Sequence, residues 1–210
     1  HWVNKPQNSV MWQRVFFVFV FFCLAAVPVR ASTVLVFGDS LSAAYGMREE
    51  EGWVALLQKT LPEHQFVNES VSGEISANGL KRLPDALKKH KPDVLVIELG
   101  ANDGLRGMPI ALLRNNLQAM ISLGKQVGCR ILLLGMQLPP NYGMRYVQEF
   151  SEVYPRLAQE NRIAVIPFFL QDIAGDITHF QPDHLHPTAN VQPEIMATVR
   201  PVLLSLLRKK

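Results

Sequence analysis

Three stretches of this 210-residue chain hold residue types that can do chemistry together. "VLVFGDSLSAAYG" (34–46) runs four apolar residues into Gly38, Asp39 and Ser40; "GAND" (100–103) sets Asn102 behind a second apolar run. Near the C-terminus, "QPDHLHPTA" places Asp183 and His186 three residues apart. Nucleophilic hydrolysis needs a hydroxyl, an imidazole to take its proton, a carboxylate to fix that imidazole's tautomer, and donors for the developing oxyanion. The chain offers a candidate for each. With Asp183 and His186 in one loop, the carboxylate can turn back onto Nδ1 and leave Nε2 to face Ser40.

Each residue alone has a plainer reading. Ser40 reads as the cap of a following helix, Asp39 as a structural turn residue, Asn102 and Asp103 as turn formers, and Gly73 as a turn needing positive φ. His64 and His90 stand in polar stretches before strands and read as solvated. His179, Asp183, His184 and His186 form a second constellation, with the H-x-H spacing of a divalent-metal site. A metal-dependent phosphoesterase would join them to Asp39, Asn102 and Asp103. It would also carry a histidine two residues after the first aspartate, where this chain has Leu41.

The positions of these residues follow from the elements between them. "TVLVFG" (33–38), "QFVNES" (65–70), "DVLVIELG" (93–100), "CRILLLGM" (129–136) and "IAVIPF" (163–168) read as strands, several of them apolar throughout, as in a parallel sheet covered on both faces. Helical spacing fills 50–61, 78–90, 110–128, 145–161 and 193–209. The alternation predicts an α/β fold: a three-layer α/β/α sandwich on a central parallel sheet of about five strands. Ligand crevices in such sheets lie outside the carboxyl ends of the strands, where Ser40, Gly73 and Asn102 all fall.

Composition narrows the class further. With 48% apolar and 19% charged residues the chain is globular. Residues 1–31 are set aside as a secretory signal with upstream residues: Arg14 precedes an apolar run from Val15 to Val27, small residues surround Ala31, and the run falls short of the roughly 20 residues of a spanning helix. Met11 is the expected start, cleavage is expected after Ala31, and bulky Phe22 argues against lipidation at Cys23. One domain, 32–210, remains, with 18 basic against 18 acidic residues. That balance gives no reason to expect a nucleic-acid partner. The "RKK" end reads as a helix C-terminus, and Cys129 is left without a disulfide partner.

"GDSLS", the glycine of "SVSGEIS", "GAND" and D-x-x-H occur in the order and spacing of the four blocks of the SGNH (GDSL-type) serine hydrolases, which the chain resembles over residues 33–207. An "LELG"-like strand end, "NDGLRG" and "LPPNYG" extend the likeness to the periplasmic thioesterase, lysophospholipase and arylesterase group. The resemblance implies a flavodoxin-like fold, Ser40 as nucleophile, His186 as general base and Asp183 as its orienting carboxylate. It implies an oxyanion hole of the Ser40 and Gly73 N–H groups and the Asn102 amide. Physically, Gly73 without a Cβ allows close approach, and Asn102 offers two donors that an aspartate lacks. No metal or organic cofactor is required.

Leu105, Met108, Ile110, Leu138 and Tyr142 follow the third and fourth strands and are candidates for an acyl groove, or equally for core. The expected substrates are acyl esters, acyl thioesters or lysophospholipids, with a sugar O-acetyl esterase and a binding domain without chemistry as alternatives. No membrane span is expected after cleavage, and the expected unit is a monomer.

Overall fold

The computed structural model describes residues 30–208. Residues 1–29, most of the segment read as an export signal, lie outside them. Five strands, β1 (Thr33–Gly38), β2 (Gln65–Asn68), β3 (Val94–Glu98), β4 (Arg130–Leu134) and β5 (Ala164–Ile166), form one sheet in the order β2-β1-β3-β4-β5. Every pairing is parallel. The chain leaves β1 to one side and returns to β3 on the other, so the strand order reverses between these two neighbours. A crevice opens at such a reversal, beyond the carboxyl ends of both strands.

Among the described residues six α-helices cover the sheet: α1 (Trp53–Thr60), α2 (Ser76–His90), α3 (Ala101–Leu105), α4 (Ile110–Gln126), α5 (Met144–Asn161) and α6 (Gln192–Leu207). Side chains alternate across a strand, and here both faces are apolar. Val34, Val36, Val94, Val96, Leu132 and Leu134 pack with Trp53 and Leu57 of α1 and Ile195, Val199 and Leu203 of α6. Leu35, Phe37, Leu95, Ile97, Ile131 and Leu133 pack with Leu83 of α2, Leu117 and Met120 of α4, and Phe150 and Leu157 of α5. The three predicted layers are thus built from two separate cores.

Several expectations need correction. His64 is buried, not solvated: its Nδ1 accepts the Ser32 N–H at 3.1 Å. His90 is half-buried against Glu69, Nε2 to Oε1 2.6 Å. The "GAND" segment is more than a turn, since Ala101 opens the short helix α3. Helix α2 begins two residues early, at Ser76, because Asp103 reaches it. One Asp103 oxygen accepts the Ser76 N–H at 2.8 Å and the other its hydroxyl at 2.5 Å, satisfying an otherwise orphaned donor of the first turn.

Candidate active site

Strand β1 gives way at its carboxyl end to Asp39, whose side chain shapes the turn carrying Ser40. Its Oδ1 accepts the Leu41 N–H at 2.9 Å, while its carbonyl accepts the N–H groups of Ser42 and Ala43. Residues 39–47 form turns rather than a helix, so Ser40 caps none and Asp39 holds the turn instead. Ser40 Oγ lies 2.8 Å from His186 Nε2.

His186 is fixed from its other side. Asp183 Oδ2 is 2.5 Å from His186 Nδ1, and Asp183 Oδ1 accepts the N–H groups of Leu185 (2.9 Å) and His186 (3.0 Å). Partial desolvation opposes the Asp183 charge, but the bonds from the His186 N–H, its ring and the Leu185 N–H outweigh it and hold the carboxyl at about 2. The carboxylate is thus ionised at neutral pH, and it selects the tautomer that carries a proton on Nδ1. Gln181 ties this loop to the one after β1, its Nε2 donating to the Tyr45 and Pro187 carbonyls. Tyr45 lies across the imidazole, ring centroids 4.2 Å apart and planes tilted by 34°.

The third and fourth blocks meet beside Ser40. After β2 the chain still runs along β1, with Glu69 and Val71 N–H groups donating to Val36 and Gly38, and then turns at Gly73. Gly73 has φ +76°, and a Cβ added there would touch nothing within 4 Å. Its need for glycine is therefore the left-handed backbone, rather than crowding. Among the described residues neither the Ser40 nor the Gly73 N–H has an acceptor. The Asn102 side-chain amide donates to Asp39 Oδ2 (3.2 Å) and to the Glu74 carbonyl (3.1 Å), so an incoming anion would share these N–H groups. Arg106 holds the same turn from outside through the Gly73 carbonyl, at 3.2 Å.

A cavity of about 370 Å³ opens at Ser40, Asn102 and His186. Of the five groove candidates it takes Leu105 and Leu138. Met108, Ile110 and Tyr142 do not line it: Ile110 packs on the core under α2 and α4, the Tyr142 hydroxyl donates to the Leu105 carbonyl, and the Met108 carbonyl accepts from Tyr146. The apolar wall also takes Leu41, Ala101, Met136 and Pro139 and, beyond β5, Phe168, Leu170, Ala174, Phe180 and Leu185. The groove candidates of the sequence follow the third and fourth strands only, and the part of the wall from Phe168 to Leu185, beyond β5, is not among them. The signal was present in "PFFL", an apolar run continuing past a strand end.

Among the described residues no three His, Cys, Asp or Glu side chains are grouped to hold a metal. His179 turns away, its Nδ1 on the Ile173 carbonyl at 2.9 Å.

A three-layer α/β fold with a serine, a histidine and an aspartate in hydrogen-bonded sequence at its strand-order reversal holds the parts that a serine hydrolase uses. The model of the GDSL-like Lipase/Acylhydrolase family matches residues 36–192, and the chain belongs to that family. It is 48% identical to Esterase TesA of Pseudomonas aeruginosa over 193 residues, 88% of this chain and 96% of the relative. It is 39% identical to Thioesterase 1/protease 1/lysophospholipase L1 of Escherichia coli over 189 residues, 90% of each. The structure of the psychrotrophic esterase EstA from Pseudoalteromonas sp., inhibited by monoethylphosphonate, superposes with a TM-score of 0.81 at 37% identity, covering 85% of this chain and all of that one. The protein is an ester-bond hydrolase.

Proposed function

We propose that this protein is an exported serine esterase that hydrolyses acyl esters and thioesters through an acyl-enzyme on Ser40. The observation that carries the reading is the continuous path from Asp183 Oδ2 to His186 Nδ1 (2.5 Å) and from His186 Nε2 to Ser40 Oγ (2.8 Å). Ser40 Oγ attacks the carbonyl carbon as its proton passes to His186 Nε2, and Asp183 stabilises the imidazolium. The carbonyl oxygen, now an anion, is held by the Ser40 and Gly73 N–H groups and the Asn102 amide. Collapse expels the alcohol or thiol, which takes the proton from His186. Water then attacks the acyl-serine with His186 as base, releasing the carboxylic acid and restoring the hydroxyl.

The apolar cavity supports an acyl chain rather than a sugar as the group bound beside Ser40. Thioesters and lysophospholipids are put forward on the same cavity and on the name of the Escherichia coli relative. Export is put forward on the sequence alone, from Arg14 and the apolar run behind it. All the groups named come from one chain, and the monomer is taken as the working unit. Among the described residues no helix is long and apolar enough to cross a membrane.

Labelling with a fluorophosphonate tests the nucleophile. Label on the wild type that is lost in Ser40→Ala and in His186→Ala supports the reading. A folded wild type that takes no label and turns over no ester sinks it, and returns the site to a binding role.

A further inference from the structure

Two carboxyl groups that the acyl-transfer steps leave unused are buried behind the reacting hydroxyl. Asp39 and Glu98 are both 0% exposed. The register of β1 on β3 sets Gly38 opposite Glu98, so the Glu98 side chain rises beside the turn that carries Ser40. Its Oε1 accepts the Ser42 hydroxyl at 2.6 Å and lies 3.4 Å from the Asp39 nitrogen. The fit is close: a Cβ on Gly38 would stand 2.8 Å from that same oxygen. The other oxygen, Oε2, is buried with no partner among the described residues.

Two ionised carboxylates on adjoining residues of neighbouring strand ends, both out of water, are not sustainable. Burial strongly penalises each charge and mutual repulsion adds to it, so one of the two carries a proton. The surroundings decide which. Asp39 accepts N–H groups on both oxygens, from Leu41 and Asn102, which favours its charge, and it feels His186 as well. Glu98 has one orphan oxygen and faces Asp39 and Ser42, while the Tyr154 hydroxyl of α5, close enough to feel the Glu98 charge, donates to the Leu99 carbonyl at 3.1 Å. Asp103, facing from α3, is occupied by Ser76. Burial drives Glu98 well above the usual carboxyl range, with the Asp39 charge adding to it. Burial raises Asp39 only to about 6, because the Leu41 N–H, the Glu98 carboxyl group and the nearby imidazole oppose the shift.

We propose that Glu98 is a positioning residue that holds a proton in the closed space between β1 and β3, leaving the pair's single charge on Asp39, which in turn fixes the Asn102 amide. An ionised Asp39 only accepts, as does the Glu74 carbonyl, so both force the nitrogen of Asn102 toward them and forbid the flipped amide. A neutral Asp39 could donate, and the flip would put the Asn102 oxygen where an anion has to be bound. The proposal rests on the reading of Asn102 as an oxyanion donor.

The protonation state is measured directly, and without turnover, by carbon NMR of the Ser40→Ala protein labelled at the glutamate carboxyl carbon. One glutamate resonance is expected to remain in the acid form at neutral pH and to vanish in Ser40→Ala/Glu98→Gln. Full ionisation of every glutamate at neutral pH overturns the proposal, whatever becomes of the esterase reading. Kinetics test the consequence. Glu98→Leu and Asp39→Asn each lower kcat by about 10-fold or more with KM little changed, whereas Glu98→Gln, which keeps a neutral partner of the same shape, restores kcat to within about 3-fold of wild type. Equal losses in Glu98→Gln and Glu98→Leu overturn it. Loss of fluorophosphonate labelling in the wild type would instead strike the esterase reading, and the NMR result would stand apart from it.

Discussion

Asp183 Oδ2 stands 2.5 Å from His186 Nδ1, and the other oxygen of the same carboxylate accepts the backbone N–H groups of Leu185 and His186. One side chain thus folds the loop and orients the base within it. Asp183→Asn keeps the size but replaces one acceptor by a donor, favouring the wrong imidazole tautomer. The expected loss in kcat is roughly 10²- to 10⁴-fold, by analogy with triad carboxylates generally. A p-nitrophenyl ester assay reads it, and a variant within a few-fold of wild type would refute the role.

The two shifted aspartates act on stability with opposite sign. Asp183 is held at about 2, below its ordinary value of 3.8, so its contribution is present above that value and is lost as pH falls toward 2. Asp39 is raised to about 6, so the folded state binds its proton more tightly than the unfolded chain, and stability declines as pH rises from 3.8 to about 6. Denaturant midpoints measured across that upper window should fall in wild type relative to Asp39→Asn, which has no charge to bury. Parallel curves for the two proteins would contradict the assignment.

Asn102 is tied to both neighbouring loops, through Asp39 Oδ2 and the Glu74 carbonyl, so its amide is preorganised before substrate arrives. Removing one oxyanion donor costs on the order of 10² to 10³ in turnover. Asn102→Ala should show that loss while keeping its fold, because the side chain is half-buried and leaves no large apolar void. Full activity in that variant would remove Asn102 from the anion-binding set.

Legibility in the sequence tracked the range of the forces involved. Strands β1, β3 and β4 were readable because their apolar runs, such as Val34–Phe37, are buried on both faces at once. The ends were less readable: the strand read to Ser70 stops at Asn68, whose side chain leaves the ladder to donate to the Ser42 carbonyl and accept from the Ser70 N–H. Asp183 and His186 are legible as neighbours because they lie three residues apart in one loop, whereas the approach of His186 to Ser40, 146 residues away, follows only from the order of the four blocks. Glu98 was not, since a charged residue inside an apolar run shows no pairing until β1 is laid beside it. Tyr45 against His186 needed 141 residues of chain to close into the fold. The half of the cavity after β5 was hidden for the same reason, its walls becoming neighbours only through the sheet.

Ala174 lines the part of the cavity beyond β5, the same cavity that Leu105 and Leu138 line, and is itself exposed. A large side chain there can fill the cavity without disturbing either core. Ala174→Trp should leave hydrolysis of acetyl esters near the wild-type rate and penalise longer acyl chains. At about 0.8 kcal/mol per buried methylene, each methylene excluded from the wall lowers kcat/KM by about fourfold. Tyr142→Phe, outside the cavity, should leave the chain-length profile unchanged. A p-nitrophenyl series from acetyl to dodecanoyl distinguishes these outcomes: an unaltered profile in Ala174→Trp would place the acyl chain elsewhere, and wild-type activity confined to acetyl esters would favour the sugar O-acetyl esterase.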